Sequence, residues 1–327
     1  MGEINVIMNE FLADNERFAD LFNVIIFGGK QVVSAKDLSD MDTKARRCGE
    51  HVGGKRSREF VRDHLKRWKC GSKVVLLGLE PEDSVHYALP VKVMNYESIQ
   101  YDKDYKETRK QHWKEKNLTN REYISGFSGS DRLIPVITIV LYHGKERWDA
   151  PKSISEMLGI DAYPREIQNM LRSYCNDFRV NLVDVNRLTT NDVFVTDLRE
   201  VFGFLRYQND REALRNYVNS HKEFTHLSQD TYDVIASLSG TRGLDVKKQE
   251  VRMEGEMDMC LAIDEMVQEG MEKGMGKINL LNAKLIADGR LEDVVRSADD
   301  EVFQKHLMDE YGISRRIPRL FDSGRRV

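Results

Sequence analysis

The chain of 327 residues is long enough for one large domain or for two or three smaller ones. Its formal net charge of −4 gives no overall attraction to nucleic acid or to an anionic membrane, and its 32% of charged residues is typical of a globular protein. The four cysteines form no metal-binding spacing, the acid-bearing N-terminus does not resemble a signal peptide, and no apolar run approaches the ~20 residues of a membrane span. We therefore expect a cytoplasmic protein with reduced thiols and no membrane contact.

The average charge hides two basic segments. The segment from Lys44 to Lys73 contains eleven Lys or Arg residues and three acids, and the tail 314–327 contains five arginines and one aspartate. Such a segment is typical of a solvated face, but beside clustered acids it also suits a site that holds a polyanion near a metal. Asp63 lies inside the first segment.

The first 150 residues predict a compact α/β unit. In chain order we predict an amphipathic helix ended by Gly28 and Gly29, an irregular basic loop, two strands joined by a tight turn, a long helix, and a strand buried on both faces. These elements cover residues 8–27, 42–58, 60–68 with 73–80, 91–116 and 133–142. A strand, a helix and a strand in this order form a crossover unit, which is right-handed when the strands are parallel.

Beyond Pro151 the pattern becomes mainly helical. Helices are predicted at 153–160, 165–178, 195–221 and as a pair within 278–312 split near Asp288, with an edge strand at 180–185. Residues 251–277 are rich in Met, Glu and Gly and predict a marginal helix or a linker that orders on assembly. We expect a core at 1–150, a helical extension of it at 151–245, and a linker with C-terminal helices and a basic tail at 246–327.

A short hairpin brings three acids together. If Gly71 and Ser72 form a two-residue type II′ turn, paired positions sum to 143 and Asp63 lies opposite Glu80. Opposed side chains are about 4.5–5.5 Å apart at Cβ, and Glu82 points to the same face. Because opposed like charges are destabilising, the patch requires a cation such as Mg²⁺ or Mn²⁺, or a different register.

A simpler interpretation stays open. The acids can mark the exposed end of a strand, with residues 80–83 forming a turn, since Pro81 is disruptive inside a sheet. Spacing alone does not decide between this turn and a metal site.

Several stretches, in this order, are similar to the recombination-promoting nuclease family, also called the YhgA-like transposases, of the PD-(D/E)XK superfamily. They read "DLFNVIIFGGKQVV", "VRDHLKRW", "LIPVITIVLYHGKERWDAP", "VNLVDVNRLTTNDV" and "DLREVFGFLRY". The resemblance spans roughly residues 10 to 240.

The family's E-x-Q and M-P-x-R-x-x-x-Y motifs have counterparts with substitutions. They correspond here to Glu80-Pro81-Glu82, and to Leu89-Pro90-Val91-Lys92 followed by Tyr96. Glu82 stands in the Gln place, where related nucleases carry Lys; an ionised acid there acts as a base or as an extra ligand. Lys92 replaces an Arg, which keeps the charge but loses bidentate phosphate recognition.

The resemblance implies a restriction-endonuclease-like core with a helical C-terminal extension, and a Mg²⁺- or Mn²⁺-dependent DNA endonuclease linked to recombination or mobile elements. It implies Asp63 and Glu80 as metal ligands and Glu82 as a third catalytic residue. The residues assigned to DNA are Arg58, Arg62, Lys66, Arg67 and Lys92, and those assigned to a supporting helix are Tyr96 and Gln100.

Two interpretations from other classes remain beside the enzyme. The first is a catalytically degenerate nuclease that binds DNA or a protein, which the acid at Glu82 and the long helical C-terminal part favour. The second is a structural protein that assembles through residues 251–312. We also expect a homo-oligomer formed through the C-terminal helices.

Overall fold

A computed structural model describes residues 3–51, 54–189, 191–240, 243–244, 252–253 and 256–313; the side chains at 3–4, 44–51, 54–61, 191 and 253 lie outside that description. The chain forms two compact units, residues 1–217 and 218–327. The three-part division expected from composition stays a prediction. The predicted basic tail at 314–327 lies outside the described residues.

The first unit is built on a mixed five-stranded sheet, which confirms the predicted α/β class. The strands of the chain are β1 (Leu38–Asp40), β2 (Lys44–His51), β3 (Gly54–Val61), β4 (His64–Cys70), β5 (Lys73–Glu82), β6 (Val136–Tyr142) and β7 (Asn181–Asp184). The sheet has the order β1-β4-β5-β6-β7, with β1, β4 and β5 antiparallel and β5, β6 and β7 parallel.

The basic segment at 42–58 was predicted as an irregular loop, and this is wrong. Strands β2 and β3 pair antiparallel from Lys44 with Val61 to His51 with Gly54, as a separate two-stranded sheet. The sequence has no alternation of apolar and polar residues over these strands, so the period-2 pattern that indicates a strand was missing.

The predicted N-terminal helix is two helices. Helix α1 (Glu3–Leu12) ends before Asp14, whose carboxylate accepts hydrogen bonds from two backbone N–H groups at the start of α2 (Asn15–Phe27). This cap restarts the helix, which the apolar spacing alone did not reveal. Helix α2 ends at Gly28 in the left-handed conformation, as predicted.

The register of the β4–β5 hairpin is confirmed. His64 pairs with Leu79 and Cys70 with Lys73, so each pair sums to 143. Gly71 has φ +60°, as the first central position of a type II′ turn requires. The strand bounds differ from the prediction, however: Asp63 lies in a bend before β4, one step beyond the last pair.

The long helix and the buried strand are both confirmed. Helix α3 (Leu89–Glu115) connects β5 to β6, and β6 pairs parallel with β5 from Val136 to Tyr142. Six of the seven β6 residues are buried, as the β-branched run predicted. Strand β7 is the parallel edge strand expected at 180–185.

Shorter helices complete the first unit. They are α4 (Ile154–Met157), α5 (Arg165–Tyr174), α6 (Leu198–Tyr207) and α7 (Arg211–Ser220), and the boundary between the units falls within α7. Helix α6 buries Leu198, Val201, Phe202 and Leu205 completely or nearly so. The predicted helical segment at 195–221 is therefore a pair of helices.

The second unit is helical. Its elements are α8 (Gln229–Ser239), a short ribbon of Arg252–Met253 with Glu256–Met257, α9 (Met259–Ala287), α10 (Leu291–Asp299) and α11 (Glu301–Glu310). Helix α9 runs unbroken through its glycines, which confirms the helix among the two alternatives expected at 251–277 from Met259 onward. Its marginal stability stays a prediction. Leu281, Leu285 and Leu307 form a local core. In the part of the chain that the structure describes, no helix combines the length and apolar character needed to cross a membrane.

Candidate functional site at the end of β5

Strand β5 carries its acids inside the sheet rather than in a turn. Glu80, Pro81 and Glu82 pair with β6, whereas the pairing with β4 stops at Leu79. Backbone N–H groups along a strand point alternately to its two neighbours, and the N–H of Leu76 points toward β6. The backbone nitrogen of Pro81, five residues on, therefore points to the other side, where β4 has already ended. Proline therefore removes no ladder hydrogen bond there, and the turn interpretation of residues 80–83 is wrong.

Glu80 is a buried carboxylate between two cations. Its side chain is 1% exposed; Oε2 lies 3.5 Å from the Lys92 ammonium and Oε1 lies 3.7 Å from Nε of Arg62. Among the described residues, none donates a hydrogen bond to either oxygen. Burial raises the pKa of Glu80 to about 8, although the positive charge of Lys92 opposes the shift.

Helix α3 delivers the second cation to Glu82. Its first turn begins at Leu89 and Pro90, and Lys92 one turn into the helix donates a hydrogen bond of 2.6 Å to Oε1 of Glu82. Burial pulls the pKa of Lys92 down, but Glu80 and Glu82 more than offset it and hold that pKa above its ordinary value. One ammonium thus serves both acids of β5.

Asp63 is half-buried at the bend that precedes β4. Burial raises its pKa, the charge of Lys92 lowers it, and the charge of Glu82 raises it again, so these groups share one electrostatic environment. The Asn9 side chain also forms a hydrogen bond with Asp63. The three acids therefore gather at one end of the sheet, although Asp63 is not a rung of the ladder.

The donor set around a metal would be small. Within the described residues, no group of three or more His, Cys, Asp or Glu side chains has an arrangement that could hold a metal ion. Mg²⁺, however, is commonly bound through only one or two carboxylates, with water and substrate phosphates completing the octahedron. The unbonded oxygens of Glu80 with the nearby carboxylate of Asp63 fit that smaller requirement.

Arg62 belongs inside the site rather than on a DNA-facing surface. Its side chain is 3% exposed, it donates a hydrogen bond of 2.7 Å to Oγ1 of Thr138, and its guanidinium lies 5.2 Å from the ring centroid of Tyr96. Burial lowers its pKa, opposed by the charges of Glu80 and Glu97. This placement corrects the sequence-based assignment of Arg62 to DNA, because a side chain that is 3% exposed and pairs with Glu80 does not present its guanidinium to a phosphate at the surface.

The remaining predicted residues separate into buried and exposed. The Lys66 ammonium is 1% exposed and donates to Ala13 O, Asn15 Oδ1 and Asp40 Oδ1, which leaves no donor free for a phosphate and corrects its assignment to DNA. Arg67 is exposed on β4. Arg58 lies on β3 with a side chain outside the description.

Helix α3 also places Tyr96 at the site and Gln100 one turn further on. Tyr96 is buried beside both cations, 5.9 Å from the Lys92 ammonium, and burial together with Glu80 raises its pKa to about 12. Gln100 is half-buried on the same helix.

Sequence reasoning missed three residues that shape the site: Gly78, Glu97 and Thr138. Thr138 is a polar residue in an otherwise apolar strand, and Gly78 pairs with it on β5, close to Arg62. Glu97 forms a hydrogen bond with Thr138 and contributes charge toward Arg62. The one indication in the sequence was a single Thr in an apolar strand and a Gly in the neighbouring strand. Their spacing did not show that the guanidinium of Arg62 would pack against both.

The fold and this site define an α/β protein with a buried carboxylate–lysine cluster where a central strand ends. Residues 117–233 match a family model described as "Putative transposase, YhgA-like". The match confirms the family resemblance over these residues, indicates a transposase-like or nuclease-like role, and does not extend to residues 62–100, where the cluster lies. Searches of curated proteins and of solved structures each found no match.

Proposed function

We propose that this protein is a metal-dependent DNA endonuclease whose site is the cluster of Asp63, Glu80, Glu82 and Lys92. The observation that carries the proposal is the Glu80 carboxylate, which is buried yet accepts no hydrogen bond from the described residues. Burying a carboxylate that receives no hydrogen bond costs free energy even beside two cations, so its position at a strand end points to a ligand that binds there and offsets the cost.

Asp63 and Glu80 would hold Mg²⁺ or Mn²⁺. When bound, such an ion lowers the pKa of a coordinated water and stabilises the negative charge that develops at phosphorus. The chain's own contribution is to keep these two carboxylates aligned. Arg62 and Lys92 both pair with Glu80, and their positive charges reduce the repulsion between the acids.

Lys92 supplies the cation that the strand itself lacks. Related nucleases carry Lys where this chain has Glu82, and α3 brings the Lys92 ammonium to within 2.6 Å of that carboxylate. Its side chain remains 26% exposed, so the ammonium can meet a backbone phosphate while Glu82 accepts one of its protons in a hydrogen bond. Glu82, 10% exposed, orients Lys92 and would serve as the base that accepts a proton from an attacking water.

DNA would be held through charge. Arg67 is exposed on β4, and the basic segment from Lys44 to Lys73 surrounds it in sequence. Contacts of Lys and Arg with phosphates position the duplex and carry no sequence information, so we expect binding with little base preference.

A second candidate function is DNA or protein binding without catalysis. Lys92 favours it, because its ammonium pairs with both Glu80 and Glu82 and so leaves less negative charge to attract a metal ion. The first candidate cuts DNA and the second does not, although a DNA-binding form of the second would still bind it.

Nicking of supercoiled plasmid in Mg²⁺ or Mn²⁺, with DNA affinity measured in parallel, separates them. We compare the wild type with Asp63→Ala, Glu80→Gln and Glu82→Gln, and use Asp102→Asn as the control because Asp102 is an exposed acid on α3. An enzyme loses cutting with Asp63→Ala and Glu80→Gln, keeps binding, and is inhibited by EDTA. If no protein cuts and all bind DNA equally, the binding function is correct and the nuclease proposal fails.

A further inference from the structure

Helix α5 has an apolar face that its own unit leaves uncovered. Ile167, Met170, Leu171 and Tyr174 recur at i, i+3, i+4 and i+7 and form one stripe along the helix, the α5 stripe. Such a stripe normally faces a core. Here Ile167 is 40%, Met170 44% and Tyr174 83% exposed, Leu171 is half-buried, and α5 contributes no buried residue.

The neighbouring helix shows the normal outcome. Helix α6 has the same spacing in Leu198, Val201, Phe202 and Leu205, and each of these is at most 1% exposed. Helices α5 and α6 have the same length and the same apolar spacing, but the stripe is buried on α6 and largely exposed on α5. The difference indicates that the α5 stripe is covered by something outside the unit.

We propose that the α5 stripe packs antiparallel against the α5 stripe of a second copy of this chain. A stripe at i, i+3, i+4 and i+7 maps onto itself when the helix direction is reversed about its middle. A two-fold axis between residues 170 and 171 therefore brings Met170 against Leu171 of the second copy and Ile167 against its Tyr174. Such an isologous contact closes after two copies.

The area is sufficient for a weak dimer. With Tyr163, which is 48% exposed just before the helix, the stripe presents on the order of 500 Å² per copy, so a pair would bury about 1,000 Å², the lower limit for a specific interface. The contact is therefore expected to depend on concentration.

The charges around the α5 stripe disfavour a membrane surface or a nucleic acid as the partner that covers it. The polar side of α5 carries Arg165, Glu166 and Arg172, and Arg172 forms an ion pair with Asp161. Membrane-surface helices instead carry an excess of Lys and Arg on the polar side, and nucleic-acid interfaces are also basic. An apolar stripe between nearly balanced charges is better matched by an identical surface.

Sedimentation velocity of the full chain over a range of concentrations tests the proposal. We compare the wild type with Ile167→Glu and Met170→Glu in the stripe, and with Asn169→Glu on the exposed opposite side of the helix as the matched control. The wild type and the control should dimerise as concentration rises, and both stripe variants should remain monomeric. Because the stripe is exposed in a single copy, these substitutions should leave the circular dichroism spectrum unchanged.

A cross-linking experiment fixes the register. Residue 170 lies beside the proposed two-fold axis, so Met170→Cys should form a disulfide-linked dimer under mild oxidation, whereas Asn169→Cys should give no more cross-linking than the wild type. A protein that is monomeric at every concentration, or a dimer that survives both glutamate variants, overturns the proposal. The second result would favour the interface predicted at the C-terminal helices.

Discussion

At the scale of single residues, Lys92 is the one cation that pairs with both carboxylates of β5 among the described residues, and Arg62 pairs with Glu80 alone. The Lys92 ammonium is the closest cation to Glu82 and lies 3.5 Å from Glu80, which is almost fully buried. Removing one partner of such a group leaves an uncompensated buried charge, and that loss is larger than what the pair contributes when intact. Because 26% of the Lys92 side chain is exposed, solvent relieves part of this cost.

We predict that Lys92→Met lowers the free energy of unfolding by about 1–3 kcal/mol. Lys106→Met, which breaks the exposed pair with Asp102 on the same helix, should change it by less than ~0.5 kcal/mol. Urea unfolding followed by circular dichroism measures both values. Equal effects of the two variants would show that the cluster does not depend on Lys92 for its charge balance.

His143 gives the first unit a dependence on pH. It is 6% exposed after β6, its Nε2 has no hydrogen-bond partner among the described residues, and burial lowers its pKa from 6.5 to about 4. Between these two values the unfolded chain binds a proton that the folded chain does not. Stability is therefore lost as the pH falls from about 6.5 toward 4.

We predict that His143 costs the wild type about 2 kcal/mol of stability between pH 7 and pH 5. His143→Gln should remove that part of the pH dependence, whereas His306→Gln, at an exposed position on α11, should leave it intact. Urea midpoints at the two pH values measure the slope. A His143→Gln slope equal to that of the wild type would show that His143 is free to take up a proton in the fold.

At the scale of elements, the missing side chain of Gly78 leaves room for the guanidinium of Arg62 to pack against β5. A Cβ at Gly78 would lie 3.1 Å from Nη2 of Arg62 and 3.1 Å from Oγ1 of Thr138, which is tighter than ordinary packing. Gly274 in α9 differs, because a Cβ there meets nothing within 4 Å. The two glycines therefore predict opposite responses to the same substitution.

We predict that Gly78→Ala destabilises the protein by about 1–3 kcal/mol because the guanidinium and the threonine must move apart. Gly274→Ala should stabilise α9 by up to ~1 kcal/mol through helix propensity. Thermal unfolding compares the two variants. A neutral Gly78→Ala would mean that Arg62 can shift without loss.

The elements also show what the sequence could predict. The hairpin register followed from the Gly71-Ser72 turn, and the crossover followed from the apolar runs, because local turn chemistry and burial decide both. The start of β4 and the extension of β5 through Pro81 were not predictable, since each depends on which neighbouring strand continues. The strand pair at 44–51 and 54–61 was missed because its sequence shows no alternation of apolar and polar residues.

The candidate site was predictable only in part. The hairpin register and the family resemblance predicted the acids of the site. They did not predict that Arg62 and Lys66 point inward, because a buried and an exposed basic residue look alike within a charged run of the sequence. Their burial depends on acceptors supplied by distant elements: Thr138 on β6 for Arg62, and Asp40 on β1 for Lys66.

At the scale of the whole molecule, the net charge of −4 means that the proposed function requires a local basic surface to bind DNA. We predict that Arg67→Gln weakens DNA binding uniformly across sequences and reduces the slope of log affinity against log salt by about 1. Lys66→Gln should act on stability and leave that slope unchanged, because the ammonium is buried. Fluorescence anisotropy at several salt concentrations measures both slopes, and an equal reduction by the two variants would contradict the division into buried and exposed cations.

The most direct test of the account is the rate at which the protein, in excess over supercoiled plasmid, forms nicked DNA in Mg²⁺. The wild type and Glu80→Gln are compared, with Asp102→Asn as the control. We predict that the wild type and the control nick at the same rate, and that Glu80→Gln binds the plasmid but is slower by at least ~100-fold. Nicking by Glu80→Gln at the wild-type rate would show that the buried carboxylate at the end of β5 is not the catalytic centre.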